Sequence, residues 1–260
     1  MGVLNITPDS FSDGGVYFSP EKALSRVTEY IDNGVEIIDI GAQSTRPGAI
    51  EVGPDIEINR LKPVISLVRQ IYPQLPLSVD TFHSSVASEA IALGVNWIND
   101  ITGGKRDPDM FKLVSDAKCR FVITHSRGNS STMDTLTKYN NVVEDVKNSL
   151  LLRTEEALAV GVLPENIIWD PGLGFAKTTF QNLEIVRGIE SFINNKYPVL
   201  LGPSRKRFVG AILNEKDPLK LIWGSAAIAC KCIQAGVSYI RVHDVYEIRK
   251  TILMGNQLWL

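Results

Sequence analysis

"NGVEIIDIGAQSTRPGAIEVG", residues 33–53, falls into three parts of different chemistry. Asn33 and Gly34 form a brief turn, "EIIDIG" is an apolar run of strand length, and the polar segment after it is much longer than the turn before it. A short connection into a strand and a long, reactive one out of it is the asymmetry of a (β/α)8 TIM barrel, whose functional loops gather at the C-terminal strand ends.

The same unit recurs along the chain. "MGVLN" (1–5), "PLSVDT" (76–81), "NWINDI" (96–101), "RFVITH" (120–125), "NIIWDPG" (166–172), "PVLLGPSRK" (198–206) and "YIRVHD" (239–244) complete a set of eight apolar runs, each leaving room for a helix. Brief turns such as "LGV" (93–95) and "AGVS" (235–238) lead in, whereas "NITPDSFSDGG" (5–15), "TGGKRDPD" (102–109) and "HSRGNSSTM" (125–133) lead out. One expected helix has Ser19 as its N-cap, Pro20 in its first turn and Gly34 closing it. Others are expected over about 55–72, with Pro63 a kink, and about 142–159. At 260 residues, with no linker and no internal repeat, the chain reads as a single barrel domain spanning residues 1–260.

Composition narrows the function classes. The hydrophobic share of 44%, the charged share of 22% and a formal net charge of -2 give no reason to expect nucleic acid as a partner. No apolar run approaches the roughly 20 residues of a membrane span and there is no signal sequence, so a cytoplasmic protein is expected. Cys119, Cys230 and Cys232 are too few for a disulfide framework, and Cys230 and Cys232 sit two apart in a helical pattern, where side chains diverge.

Polar groups end the apolar runs: Asn5, Asp39, Asp80, Asn99 with Asp100, His125, Asp170, the trio Ser204, Arg205 and Lys206, and finally Arg241, His243 and Asp244. Singly, each reads as a cap or turn former. Converging on one barrel mouth, Asp80, Asn99 and Asp170 suit a flat heterocycle offering several N–H donors, while Arg46, Arg205, Lys206, Arg241 and His243 suit phosphate oxygens. The three histidines, His83, His125 and His243, lack close ligand spacing. That disfavours a protein-built transition-metal site and leaves magnesium recruited by substrate phosphates.

"MGVLNITPDSFSDGG", "IIDIGAQSTRPG", "LSVDT", "INDI", "WDPGLGF", "LLGPSRKRFVG" and "IRVHDV" occur in this order over nearly the whole chain, and together they resemble the dihydropteroate synthase family of folate biosynthesis. The resemblance implies a TIM barrel that condenses 6-hydroxymethyl-7,8-dihydropterin pyrophosphate with p-aminobenzoate, assisted by Mg2+, in a homodimer paired through late helices. It implies that Asp80, Asn99, Asp170 and Lys206 hydrogen-bond the pterin while Ile101, Phe175 and Arg241 enclose its faces. Asn5, Arg46, Arg241 and His243 would hold the pyrophosphate and its magnesium, with Asn5 the metal ligand. Phe11, Thr45, Pro47, Ser204 and Lys206 would form the p-aminobenzoate pocket. An arylamine is unprotonated at neutral pH, so attack needs no strong base, in keeping with the lack of an obvious His–carboxylate pair in the sequence.

Gln43 and Ser130 depart from the family pattern at positions without a substrate role. Met1 opens the first strand directly, where relatives carry residues ahead of it, so the sequence suggests either a late start or a barrel floor closed in another way. A pterin-binding barrel of a corrinoid methyltransferase system would share the carboxylate and asparagine floor but has no use for the "NITPDSFSDGG", "STRPG" and "GPSRKRF" loops. A non-enzymatic subunit of the same fold would have no need to keep every polar group. The opening loop, rich in Gly, Ser and Asp, is expected to be mobile until anion binding at Asn5 and Arg46 pins it, so that p-aminobenzoate binds second.

Overall fold

The computed structural model describes residues 1–7, 19–44 and 48–259. Phe11, Thr45, Arg46 and Pro47, assigned above to the anion and p-aminobenzoate sites, lie outside the described residues.

Strand and helix alternate from β1 (Gly2–Asn5) and α1 (Pro20–Asp32) through β2 (Ile38–Gly41), α2 (Pro54–Ile71), β3 (Leu77–Asp80), α3 (Ser84–Ala92), β4 (Trp97–Asp100), α4 (Met110–Ala117) and β5 (Arg120–Thr124) to α5 (Val142–Val160). β6 (Ile167–Asp170) is followed by α6 (Thr179–Arg187) and the single turn α7 (Glu190–Ile193). The chain ends with β7 (Leu200–Leu201), α8 (Arg207–Leu213), α9 (Ile222–Ala235), β8 (Tyr239–Ile240) and α10 (Val245–Trp259). Strands β1 to β6 pair in parallel in sequence order, and β7 pairs with β8. Parallel bridges from Trp169 to Val199 and from Gly2 to Val242 join the two groups and close the ring. The eight-stranded barrel expected from the alternation is the observed fold.

The signals read for α1 act where they were read. Ser19 accepts a hydrogen bond from the Lys22 amide at 3.3 Å with Pro20 in the first turn, and Gly34, at φ +81°, follows the helix end. α2 carries Pro63 inside it. α5 starts at Asn141, whose side chain accepts from the amides of Val143 and Glu144, and stops at Gly161 in the left-handed conformation. Cys230 and Cys232 lie on α9.

Strand residues alternate between the lumen and the helices, so every second residue shares a face. Ile38, Ile40, Leu77, Val79, Ile98, Phe121, Ile123, Ile167 and Trp169 belong to the buried layer between the strands and the helices. The residues of the other parity form two levels. The lower one is apolar: Ile37, Trp97, Val122, Ile168 and Leu200 cluster together, with Met1 and Tyr239 against them. Two or four residues further along the same faces stand Asn5, Asp39, Asn99, Thr124, Asp170 and Arg241, and on β3 Asp80 stands two residues after the buried Ser78. An apolar plug thus closes the floor and the polar groups are raised to the C-terminal mouth.

Candidate active site

Register places Asn5 beside Gly41, Gly41 beside Asp80 and Asp80 beside Asn99, one line across four strands. Gly41 has no side chain for a reason: a Cβ there would stand 3.3 Å from Asn5 Oδ1 and 3.7 Å from the Asp80 Cβ. One level below, Asp39 is fully buried and takes two hydrogen bonds on Oδ2, from Arg241 Nε at 2.6 Å and from Asn99 Nδ2 at 3.0 Å. Arg241 Nη2 donates to Asp80 Oδ2 at 2.8 Å. The guanidinium therefore links β8 to β2 and β3 across the lumen.

These charges depend on one another. Burial pushes the Asp80 carboxyl well above the usual carboxylate range, and Arg241 pulls it partway back. Burial works against the Arg241 charge, but Asp39 and Asp80 outweigh it and hold the guanidinium above its ordinary value. Asp170, at the end of β6, is raised by burial, and its Oδ1 accepts from the Gly172 amide at 2.7 Å. Lys206 lies with its ammonium 4.7 Å from the centre of the Phe175 ring, and burial, with Arg241 nearby, lowers it to about 8. Such groups, shifted together at one barrel mouth, mark a functional site.

A second chain of contacts forms the rim. Asn5 Nδ2 is 3.5 Å from His243 Nε2, and His243 Nδ1 is 3.1 Å from Ser204 Oγ. Ser204 also accepts from the His243 amide at 3.1 Å. Arg205, expected to gather phosphate, instead grips Asp244 through Nη2 at 2.5 Å and Nε at 3.3 Å. Its backbone is left-handed, at φ +57°, an unusual conformation for a long side chain. The residue presents its neighbours Ser204 and Lys206 rather than its own fork.

Two strand-end residues leave the ring because they have the opposite parity. Asp100 accepts from the Thr102 and Gly104 amides at 2.7 and 2.9 Å and organises the loop after β4. His125 packs toward Tyr139, with ring centres 6.1 Å apart. The sequence also showed no His–carboxylate pair, and the structure contains one: His83 Nε2 is 3.6 Å from Glu57 Oε1. Burial raises Glu57 to about 7 and also lowers His83. The pair joins the first turn of α2 to the cap of α3. Asp39 carried no assigned role in the sequence reading, though a carboxylate two residues before Gly41 in an otherwise apolar strand was a readable sign of it.

A cavity of about 500 Å³ opens on the same side, lined in part by Phe82, Ile101, Lys105, Arg127, Met133 and Phe175. Ile101 and Phe175, the residues expected to enclose a heterocycle, face it together. Among the described residues no group of three or more His, Cys, Asp or Glu could hold a metal ion. A cation here would take most ligands from substrate oxygens and water, and the Asn5 carbonyl over Gly41 suits one protein ligand of magnesium.

The chain is 40% identical over 259 residues to a dihydropteroate synthase of Synechocystis, covering all of this chain and 89% of that protein. It also matches a folic acid synthesis protein of Pneumocystis carinii, of which it spans 36%. Among solved structures, a dihydropteroate synthase from Clostridium difficile, studied in the presence of pteroic acid, superposes with a TM-score of 0.93 at 37% identity, covering 99% of this chain and 95% of that one. One from Xanthomonas albilineans with 4-aminobenzoic acid gives 0.92 at 34%, covering 99% and 91%. Residues 1–243 match the pterin binding enzyme family. With seven motifs, a closed barrel and a carboxylate-lined mouth in agreement, the chain belongs to the dihydropteroate synthases of the pterin-binding enzyme family.

Proposed function

We infer that the chain condenses 6-hydroxymethyl-7,8-dihydropterin diphosphate with p-aminobenzoate to give 7,8-dihydropteroate and diphosphate, in folate biosynthesis. One observation carries the residue assignment: Asp80, Asn99 and Asp170 share the inward face with Arg241 above an apolar floor. Carboxylates accept the ring and amino N–H groups of a pterin, the Asn99 amide adds both a donor and an acceptor, and Ile101 and Phe175 close on its faces. Low dielectric strengthens each bond.

Arg241, Lys206 and the Asn5–His243 pair then surround the place where the diphosphate departs, and their donors balance the charge that grows on it as the C–O bond breaks. Magnesium bound with the diphosphate would add Lewis-acid neutralisation of the same oxygens, with Asn5 as its protein ligand. The methylene carbon left electron-poor is conjugated with the pterin and lies in a pocket rich in carboxylates. The arylamine nitrogen attacks it and loses its proton afterwards. Ser204 and Lys206, with Phe11, Thr45 and Pro47, would hold the p-aminobenzoate.

A diphosphate-release assay tests this directly. Release coupled one-to-one to dihydropteroate and requiring both substrates is expected; release indifferent to p-aminobenzoate, with no dihydropteroate formed, would overturn the assignment.

A homodimer is the proposed assembly. Large apolar side chains are exposed late in the chain, including Ile212, Leu219, Trp223, Met254 and Leu258, with Trp223 79% exposed. A surface of this kind in a monomer is a liability that a partner copy removes. Trp223→Glu is expected to convert the dimer to monomer in light scattering after size exclusion, and an unchanged mass would place the interface elsewhere. The three free cysteines accord with a reducing cytoplasm, and no helix among the described residues is long and apolar enough to cross a membrane.

A further inference from the structure

Lys177 has no part in the roles assigned above, yet its side chain is among the most constrained polar groups of the barrel mouth. It lies two residues after Phe175 in the loop between β6 and α6 and is 9% exposed. Nζ donates to the Gly172 carbonyl at 2.9 Å and the Phe175 carbonyl at 3.1 Å, and stands 3.0 Å from Nδ1 of His125. Burial lowers Lys177 to about 7, against the pull of the Asp170 charge, so the ammonium depends on its contacts: in that form its three N–H donors each have an acceptor, and all three acceptors are neutral groups.

The loop coils around that ammonium. Gly172, Gly174 and Ala176 alternate in the left-handed region at φ +72°, +82° and +49°. A Cβ on Gly172 would stand 2.0 Å from the His125 carbonyl oxygen, so only glycine permits this approach. The outer side is held by Tyr139, whose hydroxyl donates to the Ala176 carbonyl at 3.0 Å, and by Asn182, which accepts from the Gly174 amide at 2.7 Å.

The ammonium therefore fixes two of the groups assigned to the pterin. Gly172, whose carbonyl it holds, donates its N–H to the Asp170 carboxylate. Phe175, whose carbonyl it also holds, carries the ring beside Lys206. His125, the third acceptor, donates its own backbone N–H to the Asp170 carbonyl at 2.9 Å, which joins the assembly to β5. We propose that Lys177 is a positioning residue for pterin binding, and that with a neutral His125 protonated on Nε2 it sets the Asp170 carboxylate and the Phe175 ring at the spacing that grips the heterocycle. Burial, and the Lys177 charge beside it, push His125 far below its ordinary value, in accord with a neutral imidazole. Lysine is needed because no apolar side chain can draw two carbonyls and an imidazole to one point.

This rests on the pterin reading, and the experiment keeps the two apart. Steady-state kinetics of Lys177→Met are expected to show KM for the pterin diphosphate raised by about tenfold or more, with kcat and KM for p-aminobenzoate changed by less than about threefold. His125→Leu should raise the same KM, and His125→Asn, whose Oδ1 offers an acceptor near the place of Nδ1, should recover most of that rise. Nitrogen NMR of the wild-type protein should show His125 with a bare Nδ1 and a protonated Nε2 at neutral pH. An unaltered pterin KM in Lys177→Met, equal KM values in the Leu and Asn variants, or a protonated His125 Nδ1 would each overturn the proposal. Should Lys177→Met fail to fold, the His125 pair and the NMR spectrum still decide. Failure of the wild-type protein to bind 6-hydroxymethyl-7,8-dihydropterin in calorimetry would strike the proposed function instead, while the tautomer still decides the Lys177–His125 contact.

Discussion

Arg241→Met is expected to abolish turnover and to lower the Tm by about 10 °C. The guanidinium is the partner of two carboxylates, Asp39 at 2.6 Å and Asp80 at 2.8 Å, and Asp39 is fully buried. Methionine keeps much of the volume and removes the charge, leaving both acids without their counter-ion. Breaking a buried pair in this way costs about 3–5 kcal/mol, which for a chain of this size corresponds to roughly that fall in Tm.

The deficit should depend on pH with a definite sign. Burial already raises Asp80 in the presence of Arg241, and without the guanidinium Asp80 must rise further. An acid raised in the folded state binds more protons folded than unfolded, so its contribution to stability is full below the unfolded value and is lost as pH rises through the folded one. The variant should therefore lie closest to the wild type in mildly acidic buffer and furthest from it above neutrality. Asp39→Asn in the same chain should restore part of the Tm but none of the turnover. A variant as stable as the wild type at neutral pH would show that the two carboxylates need no counter-ion, contrary to the geometry.

Asp170→Asn is expected to reduce pterin affinity by about 100-fold with little change in Tm. Oδ1 accepts from the Gly172 amide at 2.7 Å, and an asparagine can keep that bond with its own carbonyl oxygen. Its NH2 then occupies the place of the second carboxylate oxygen and faces a donor of the heterocycle. A buried donor left without an acceptor costs about 1–3 kcal/mol, and loss of the negative charge beside Lys206 and Lys177 adds to it. Asp170→Ala gives up both bonds and should bind no measurable pterin. Calorimetry with 6-hydroxymethyl-7,8-dihydropterin measures both, and unchanged affinity in the Asn variant would remove Asp170 from the pterin floor.

Much of this was legible without coordinates. Local chemistry marks strand and helix ends: Ser19 before Pro20, Gly34 closing the same helix, and short apolar segments such as "EIIDIG" bounded by turn formers. The alternation of such segments with helix-length stretches determines a barrel, and the inequality of the two loop sets determines which end is functional. The family motifs named the inward-facing residues Asp80, Asn99, Asp170 and Arg241, because these are properties of sequence position and parity.

What the sequence did not determine is which group holds which. Arg241 and Asp39 are separated by 202 residues and meet only because the bridge between Gly2 and Val242 closes the ring. Arg205 carries the same fork as Arg241 and was given the same kind of role, but the turn after β7 aims it at Asp244. Glu57 and His83 come into contact through the packing of α2 beside α3, and Lys177 reaches His125 through a loop whose course three left-handed residues decide. A strand or cap is fixed by residues within a few positions of it, so the sequence specifies it locally. A buried charge is placed by whatever low-dielectric surroundings the folded chain assembles around it, and those surroundings exist only once the barrel has closed.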